Sequence, residues 1–288
     1  MPELPEVETV RRGLSDLITG RTFHAVTWDN AKSFLSSKTD TDKFLTNAKI
    51  LSVRRRAKIL MIDLSTNYSL VIHLKMTGQL VFVGEKRFGA GHPSDSLVGN
   101  LPDKSTRVTF TFSDGTRLFF NDQRKFGWVR LMPTIEVENL DFMKKVGPEP
   151  LEDDFTSEEF AERFARRAGT TIKAAILDQS VIAGVGNIYA DESLWEAKIH
   201  PVRKVSTITP AEFKRLYEAV RRTMKLAIEK GGSTDRNYVD AEGKKGSYLS
   251  FAKVFRREGQ ICERCGNEII KTRVAGRGTH ICPKCQIA

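Results

Sequence analysis

Arg107-Val-Thr-Phe-Thr-Phe-Ser-Asp-Gly-Thr-Arg-Leu-Phe-Phe120 is the stretch that decides the fold class. Residues 107–112 alternate as a half-buried strand does, Ser113-Asp-Gly115 supplies turn residues, and Thr116–Phe120 continues the apolar run. The pattern predicts an antiparallel hairpin. Strand signals extend outward from it, from about residue 22 to 133. Ile59–Leu64 and Tyr68–His73 flank the polar Ser65-Thr66-Asn67, and Trp128–Met132 closes the series. Many short strands joined by polar turns predict an antiparallel β-sandwich. Residues 84–105, rich in Gly, Pro, Ser and Asp, read as a long loop.

Helical signals lie on both sides of this region. Leu4, Val7, Val10, Leu14 and Leu17 recur at spacings of three and four, and Gly20 can end that helix. Beyond a linker at 135–150, which ends in Gly147-Pro-Glu-Pro150, helices are expected at 156–167, 170–178, 187–197 and 210–230. Gly231-Gly232 ends the last, residues 233–250 read as a polar loop, and two short β-hairpins around the cysteines finish the chain. The chain is therefore α+β, divided into 1–134, the linker 135–150, 151–232 and 233–288.

A length of 288 residues suits two domains with a small third. The formal net charge of +10 points to a polyanion, nucleic acid first and an anionic membrane second. The membrane reading lacks support, because no apolar run approaches the ~20 residues of a spanning helix. Charge from Glu3 onward is unlike a signal peptide. The expectation is a soluble, cytoplasmic, DNA-associated protein that is not secreted.

All four cysteines fall in two CxxC pairs, Cys262-Glu-Arg-Cys265 and Cys282-Pro-Lys-Cys285, with 16 residues between the pairs. That spacing fits one structural zinc ion on four thiolates. Two disulfides are the alternative, disfavoured inside a cell. With no cysteine left over, a cysteine nucleophile is excluded.

Other residues carry possible chemistry. Pro2 and Glu3 follow Met1; either they stand there by chance ahead of a helix opened by Pro5, or removal of Met1 leaves a secondary amine beside a carboxylate. An α-amino group titrates near ~8, so it can act as a nucleophile near neutral pH. Gly184-Val-Gly-Asn187 joins two expected helices, placing Asn187 at a helix N-terminus suited to phosphate, or simply forming a tight turn. Lys58 follows the run Arg54-Arg-Arg56 and abuts Ile59-Leu-Met-Ile62, so its stem would be half-buried and its ammonium aimed. Met76 follows a strand, where a methionine is usually core. Phe126, flanked by Arg124 and Lys125, suits a wedge that unstacks a duplex. Residues 253–288 carry eight Lys/Arg against three Glu, which favours phosphate contact by the cysteine segment, with Arg277 at its tip.

Together these motifs resemble the formamidopyrimidine-DNA glycosylase/endonuclease VIII family, and the resemblance spans nearly the whole chain. It rests on Pro-Glu-Leu-Pro-Glu-Val-Glu at the start, Arg-Arg-Ala-Lys at 55–58, His73-Leu-Lys-Met-Thr-Gly78, Arg124-Lys-Phe-Gly127, Gly184-Val-Gly-Asn-Ile-Tyr-Ala-Asp-Glu192 and the cysteine finger. The resemblance implies a β-sandwich, a helix–two-turn–helix domain and a zinc finger, with damaged double-stranded DNA held in a cleft between the two halves of a monomer. It implies Pro2 as nucleophile, Glu3 as general acid/base, and Lys58 in contact with the damaged nucleotide and its phosphate. Met76, Arg124 and Phe126 would fill the gap left by an extruded base. Arg107, Lys173, Asn187 and Arg277 would hold the DNA backbone, Arg277 at the active site, and the loop at 233–248 would close over the flipped base. Three positions depart from the family pattern: Arg107 for a common histidine, Gln123 for proline or valine, and Gly169 for a basic residue.

The implied activity is excision of oxidised purines, 8-oxoguanine and formamidopyrimidines, with strand cleavage by β,δ-elimination. The competing readings are an endonuclease VIII-like glycosylase for oxidised pyrimidines and a non-catalytic zinc protein that binds nucleic acid. Met76, Arg124 and Phe126 favour the purine enzyme over the first, and Pro2-Glu3 speaks against the second.

Overall fold

The structure, a computed structural model, describes residues 2–92, 94–233 and 248–288. Helix α1 (Leu4–Ile18) opens it, with Pro5 in the first turn, where a missing N–H costs nothing. Glu6 returns its carboxylate to the Glu3 backbone N–H at 2.7 Å, satisfying a donor that no helical carbonyl can reach. Leu4, Val7, Val10, Leu14 and Ile18 form the buried face. Gly13 admits a close approach: a Cβ there would lie 2.1 Å from the Phe88 ring.

Nine strands follow: β1 (Phe23–Trp28), then after helix α2 (Lys38–Phe44) β2 (Ile50–Arg56), β3 (Ile59–Leu64), β4 (Tyr68–His73), β5 (Gly78–Val83), β6 (Arg87–Gly91), β7 (Thr106–Phe112), β8 (Arg117–Asp122) and β9 (Trp128–Pro133). They make a five-stranded sheet, β1-β7-β8-β5-β6, and a four-stranded sheet, β2-β3-β4-β9, with antiparallel pairing throughout. Leu60, Ile62, Leu70 and Ile72 of one sheet share a core with Leu80, Phe82, Phe110, Leu118 and Phe120 of the other, and α1 adds Val7, Val10 and Leu14. The opposite face of β3 and β4, Ile59, Met61 and Val71, packs on Met132, Val137 and Met143. Burial on both faces explains why Ile59-Leu-Met-Ile62 is a continuous apolar run.

Beyond β9 come a 3-10 turn (Thr134–Asn139) and helices α3 (Asp141–Lys145), α4 (Ser157–Ala165), α5 (Ile172–Leu177), α6 (Asn187–Glu196) and α7 (Pro210–Glu229). Thr156 and Thr171 cap α4 and α5 with their hydroxyls. Hairpin strands β10 (Ile270–Val274) and β11 (Arg277–Ile281) lie between the cysteine pairs. Ala275 and Gly276, with φ of 49° and 72°, form the two-residue turn that sets Arg277 at the start of β11.

The described chain forms two compact units: 2–144 with 230–233, and 145–229 with 248–288. The finger thus groups with the helices, because buried polar contacts bind it to α5 and α6. The sandwich and the later helices stand where the sequence predicts them, and β3 and β4 match to the residue. Three differences emerge. The long loop at 84–105 contains β6 and a 3-10 turn at Asp95–Leu97. The linker carries the 3-10 turn and α3. Around the first cysteine pair a single bridge, Ile261 to Glu268, replaces a hairpin. The loop expected at 233–248 lies, from 234 to 247, outside the described residues. Among the described residues no helix is long and apolar enough to cross a membrane.

Candidate functional site

Pro2 is buried and Glu3 is 2% exposed, so the start of the chain is packed against the protein. The Glu6 carboxylate fixes this start twice: Oε2 accepts the Glu3 N–H, and Oε1 accepts the Ser233 N–H at 2.6 Å. Gly232 makes that second contact possible. Its φ is +84°, and a Cβ would sit 3.0 Å from the Glu6 carboxylate.

Lys58 is buried in the two-residue turn between β2 and β3, in which Ala57 takes a φ of 52°. Arg55 supports this turn. Its guanidinium donates to the Ala57 carbonyl at 3.0 Å and to Glu8 of α1 at 3.1 Å. Against the upward push of burial, hydrogen bonds from Arg11 and Arg12 and the charge of Arg55 pull Glu8 down to about 2. Beside Lys58 lies His73. Burial, with Lys75 and Lys58 nearby, pushes it down to about 3, so the imidazole is neutral. Its Nδ1 accepts the Lys75 N–H at 3.0 Å, which leaves the proton on Nε2 as a donor. The motif contained His73, but its burial beside a lysine was not legible from spacing.

Met76, Arg124 and Phe126 share two adjacent turns. Met76 is half-buried, while Arg124 and Phe126 are exposed, Phe126 by 54%. The Arg124 guanidinium stands 4.7 Å from the centre of the Phe126 ring. Arg107, expected to hold the DNA backbone, is buried and paired in this structure. It is 7% exposed, and its guanidinium is consumed by Asp29, the Lys104 carbonyl and, at 2.9 Å, the Asp122 carbonyl. It lies buried at the register irregularity between Thr106 and Val108, where a guanidinium must be fully paired.

In the second unit, Gln179 templates the turn before α6. Its carboxamide donates to the Leu177 and Val185 carbonyls and accepts the Gly184 N–H at 3.0 Å. Gly184 has a φ of +80°, which favours glycine. Asn187 then opens α6 and donates to the Gly278 carbonyl at 2.9 Å, next to the exposed Arg277. The structure thus brings Asn187 and Arg277 together. Lys173, expected to hold the DNA backbone, is buried and paired as well. It is 0% exposed, with Nζ 2.5 Å from Asp191 and 2.7 Å from Thr279 Oγ1. The desolvated, paired ammonium clamps β11 to α5 and α6.

Two further clamps hold the finger. Asp191 also accepts the His280 N–H at 2.9 Å. Glu192, which burial pushes up, accepts the backbone N–H groups of Lys253, Val254 and Phe255 at 2.8–2.9 Å. The four cysteine sulfurs lie within 4.8 Å of one another, with Cys262–Cys285 at 3.9 Å and Cys265–Cys282 at 3.3 Å. A tetrahedron with ~2.3 Å zinc–sulfur arms has edges of ~3.8 Å, so the donor set fits zinc. Burial pushes the Cys285 thiol up to about 12, whereas backbone N–H groups of Arg264 and Cys265 outweigh burial at Cys262 and bring it to about 6.

Residues 1–129 match the formamidopyrimidine-DNA glycosylase N-terminal domain, 146–238 its H2TH domain, and 259–287 the zinc finger found in FPG and IleRS. The chain belongs to the formamidopyrimidine-DNA glycosylase family. It is 43% identical to the formamidopyrimidine-DNA glycosylase of Pelotomaculum thermopropionicum over 99% of both chains. It is likewise 43% identical to that of Herpetosiphon aurantiacus, over 99% of this chain and 100% of the relative. Lactococcus lactis Fpg in complex with an abasic site containing DNA superposes with a TM-score of 0.87 at 35% identity, covering 99% of this chain and 100% of that one. A mutant of the same protein with a Fapy-dG containing DNA gives 0.88 at 34% identity, covering 100% of both. Membership makes this chain a DNA glycosylase of base-excision repair, and Cys262, Cys265, Cys282 and Cys285 its structural zinc site.

Proposed function

We propose that the chain removes oxidised purines, 8-oxoguanine and formamidopyrimidines, from damaged duplex DNA and then cleaves the strand through an iminium on Pro2. The observation that carries this reading is the packed, doubly tied N-terminus at Glu3 and Glu6. Once Met1 is removed, the Pro2 amine is a fixed nucleophile rather than a frayed end.

The mechanism begins with extrusion, since a stacked base hides its glycosidic bond. Met76 and Phe126 enter the vacated space and Arg124 faces the orphaned base. Pro2 nitrogen attacks C1′, the base departs, and Glu3 passes protons to and from the opening sugar. The iminium withdraws electrons and acidifies the C2′ hydrogen. Its loss expels the 3′ phosphate, and a second elimination expels the 5′ phosphate. Lys58, with His73 as a neutral donor beside it, holds the phosphate of the damaged nucleotide, and Asn187 and Arg277 grip the backbone. The closed four-thiolate zinc folds the finger and takes no part in the chemistry. The protein works as a monomer in the cytoplasm.

Borohydride reduction with duplex DNA carrying 8-oxoguanine opposite cytosine tests the reading. A covalent adduct mapping to Pro2 is the expected result. Mass spectrometry checks that Met1 is absent, because an acylated Pro2 is an amide and inert. No adduct from processed protein would sink the proposal, and an adduct only with an oxidised pyrimidine would redirect it to that substrate class.

A further inference from the structure

Thr77 and Asp122 take no part in the chemistry above, yet both are buried at the root of the Met76, Arg124 and Phe126 side chains. Gly78 pairs with Asp122 where β5 meets β8, so the turn before β5 and the turn after β8 emerge side by side. Thr77 Oγ1 donates to Asp122 Oδ1 and accepts the Arg124 N–H at 3.1 Å. Asp122 Oδ1 accepts the same N–H at 3.1 Å, and Oδ2 accepts the Gly127 N–H at 2.6 Å. The backbone of Asp122 is held as well, its N–H by the Ser105 carbonyl at 2.8 Å and its carbonyl by Arg107.

Both turns are strained. Lys75 and Lys125 take φ of 50° and 57°, a region that side chains other than glycine avoid. Such conformations persist where their surroundings over-determine them, and they gather at functional sites. Here one hydroxyl and one carboxylate join the two turns and hold the second, while the Lys75 N–H of the first is held by His73 Nδ1.

We propose that Thr77 and Asp122 are a positioning pair that locks the Met76 turn and the Arg124–Phe126 turn into one preformed wedge. Insertion into DNA then requires no ordering of loops, so binding energy is available for unstacking. The inference rests on the extrusion step proposed above.

The test compares Thr77→Val, which deletes the hydroxyl, with Thr77→Ser, which keeps it. Single-turnover excision of 8-oxoguanine from duplex DNA is expected to slow about 10- to 100-fold in T77V and to return to within about 3-fold of the parent in T77S. Lyase cleavage of a single-stranded abasic oligonucleotide, which needs no wedge, should stay within about 2-fold in both. A second readout needs no chemistry. With 2-aminopurine beside a stable abasic analogue in a duplex, fluorescence should rise on binding the parent or T77S, and less with T77V. Where T77V does not fold, Thr77→Ala removes the same hydroxyl without crowding. Excision by T77V at the parental rate, or a lyase loss in proportion to it, overturns the proposal. A parent that fails to excise but gives the fluorescence difference overturns the glycosylase reading and leaves the wedge standing.

Discussion

The face of the sandwich that carries Met76, Arg124 and Phe126 and the cysteine finger that carries Arg277 both present exposed groups from a fixed base, by different means. The sandwich has a large apolar core, so it can devote a buried hydroxyl and a buried carboxylate to aiming two turns. The finger's core is little more than Trp195, Val254 and Ile269 beside Cys262 and Cys282. It is built on zinc, on the buried Lys173–Asp191 ion pair and on the backbone N–H groups that Glu192 gathers. A small element with little apolar surface gains its rigidity from strong, localised bonds, and each of these is correspondingly costly to break.

Zinc removal makes the largest expected difference between the two regions. Structural zinc at a four-thiolate site contributes about 10 kcal/mol or more. Chelation, or Cys282→Ser, should abolish hydrogen-exchange protection in β10–β11 and leave β3–β4 protected; equal loss in both would show that the finger is no separate dependency. Next comes Lys173→Met, which strands Asp191 in a buried site and should cost about 3–5 kcal/mol in urea unfolding, with most of it recovered by adding Asp191→Leu. A cost near zero would place the clamp in solvent. The corresponding ion pair in the sandwich is Glu8 with Arg55. Its contribution depends on pH because the folded carboxyl titrates near 2 rather than 4.5. Stability from Glu8 is therefore complete above pH 4.5 and is lost as pH falls to about 2. Glu8→Gln should cost about 1–3 kcal/mol at neutral pH and close to nothing near pH 2, as read from paired melts across that range. The smallest effect on stability belongs to Phe126→Ala, within about 0.5 kcal/mol because the ring is exposed. Its consequence should fall on lesion excision, measured in the same preparation; a melting shift would mean that Phe126 is a core residue.

The regularity of apolar residues made much of this fold legible. Ile59–Leu64 and Tyr68–His73 were readable to the residue because each is an unbroken apolar run with polar ends. Strand β6, Arg87-Phe-Gly-Ala-Gly91, was not, since its glycines mimic a loop; Gly91 is there because a Cβ would strike the Gly78 carbonyl at 2.5 Å. In the candidate site, CxxC spacing pointed to its chemistry, because few other arrangements use those residues, whereas the Pro2-Glu3 start gained its reading only from the other motifs. The burial of Lys173 and Arg107 was not legible, because the anions that pair with them, Asp191 and Asp29, are distant in the chain.

The Glu6 carboxylate spans Glu3 and Ser233, so the support beneath the start of the chain is finished only by a residue synthesised some 230 positions later. A ribosome adds roughly 5–20 residues per second. For at least several seconds the nascent N-terminus lacks this tie, and under the proposed Pro2 chemistry that interval is when an aminopeptidase would reach Met1. The tie that closes the first compact unit arrives only after the whole of α7.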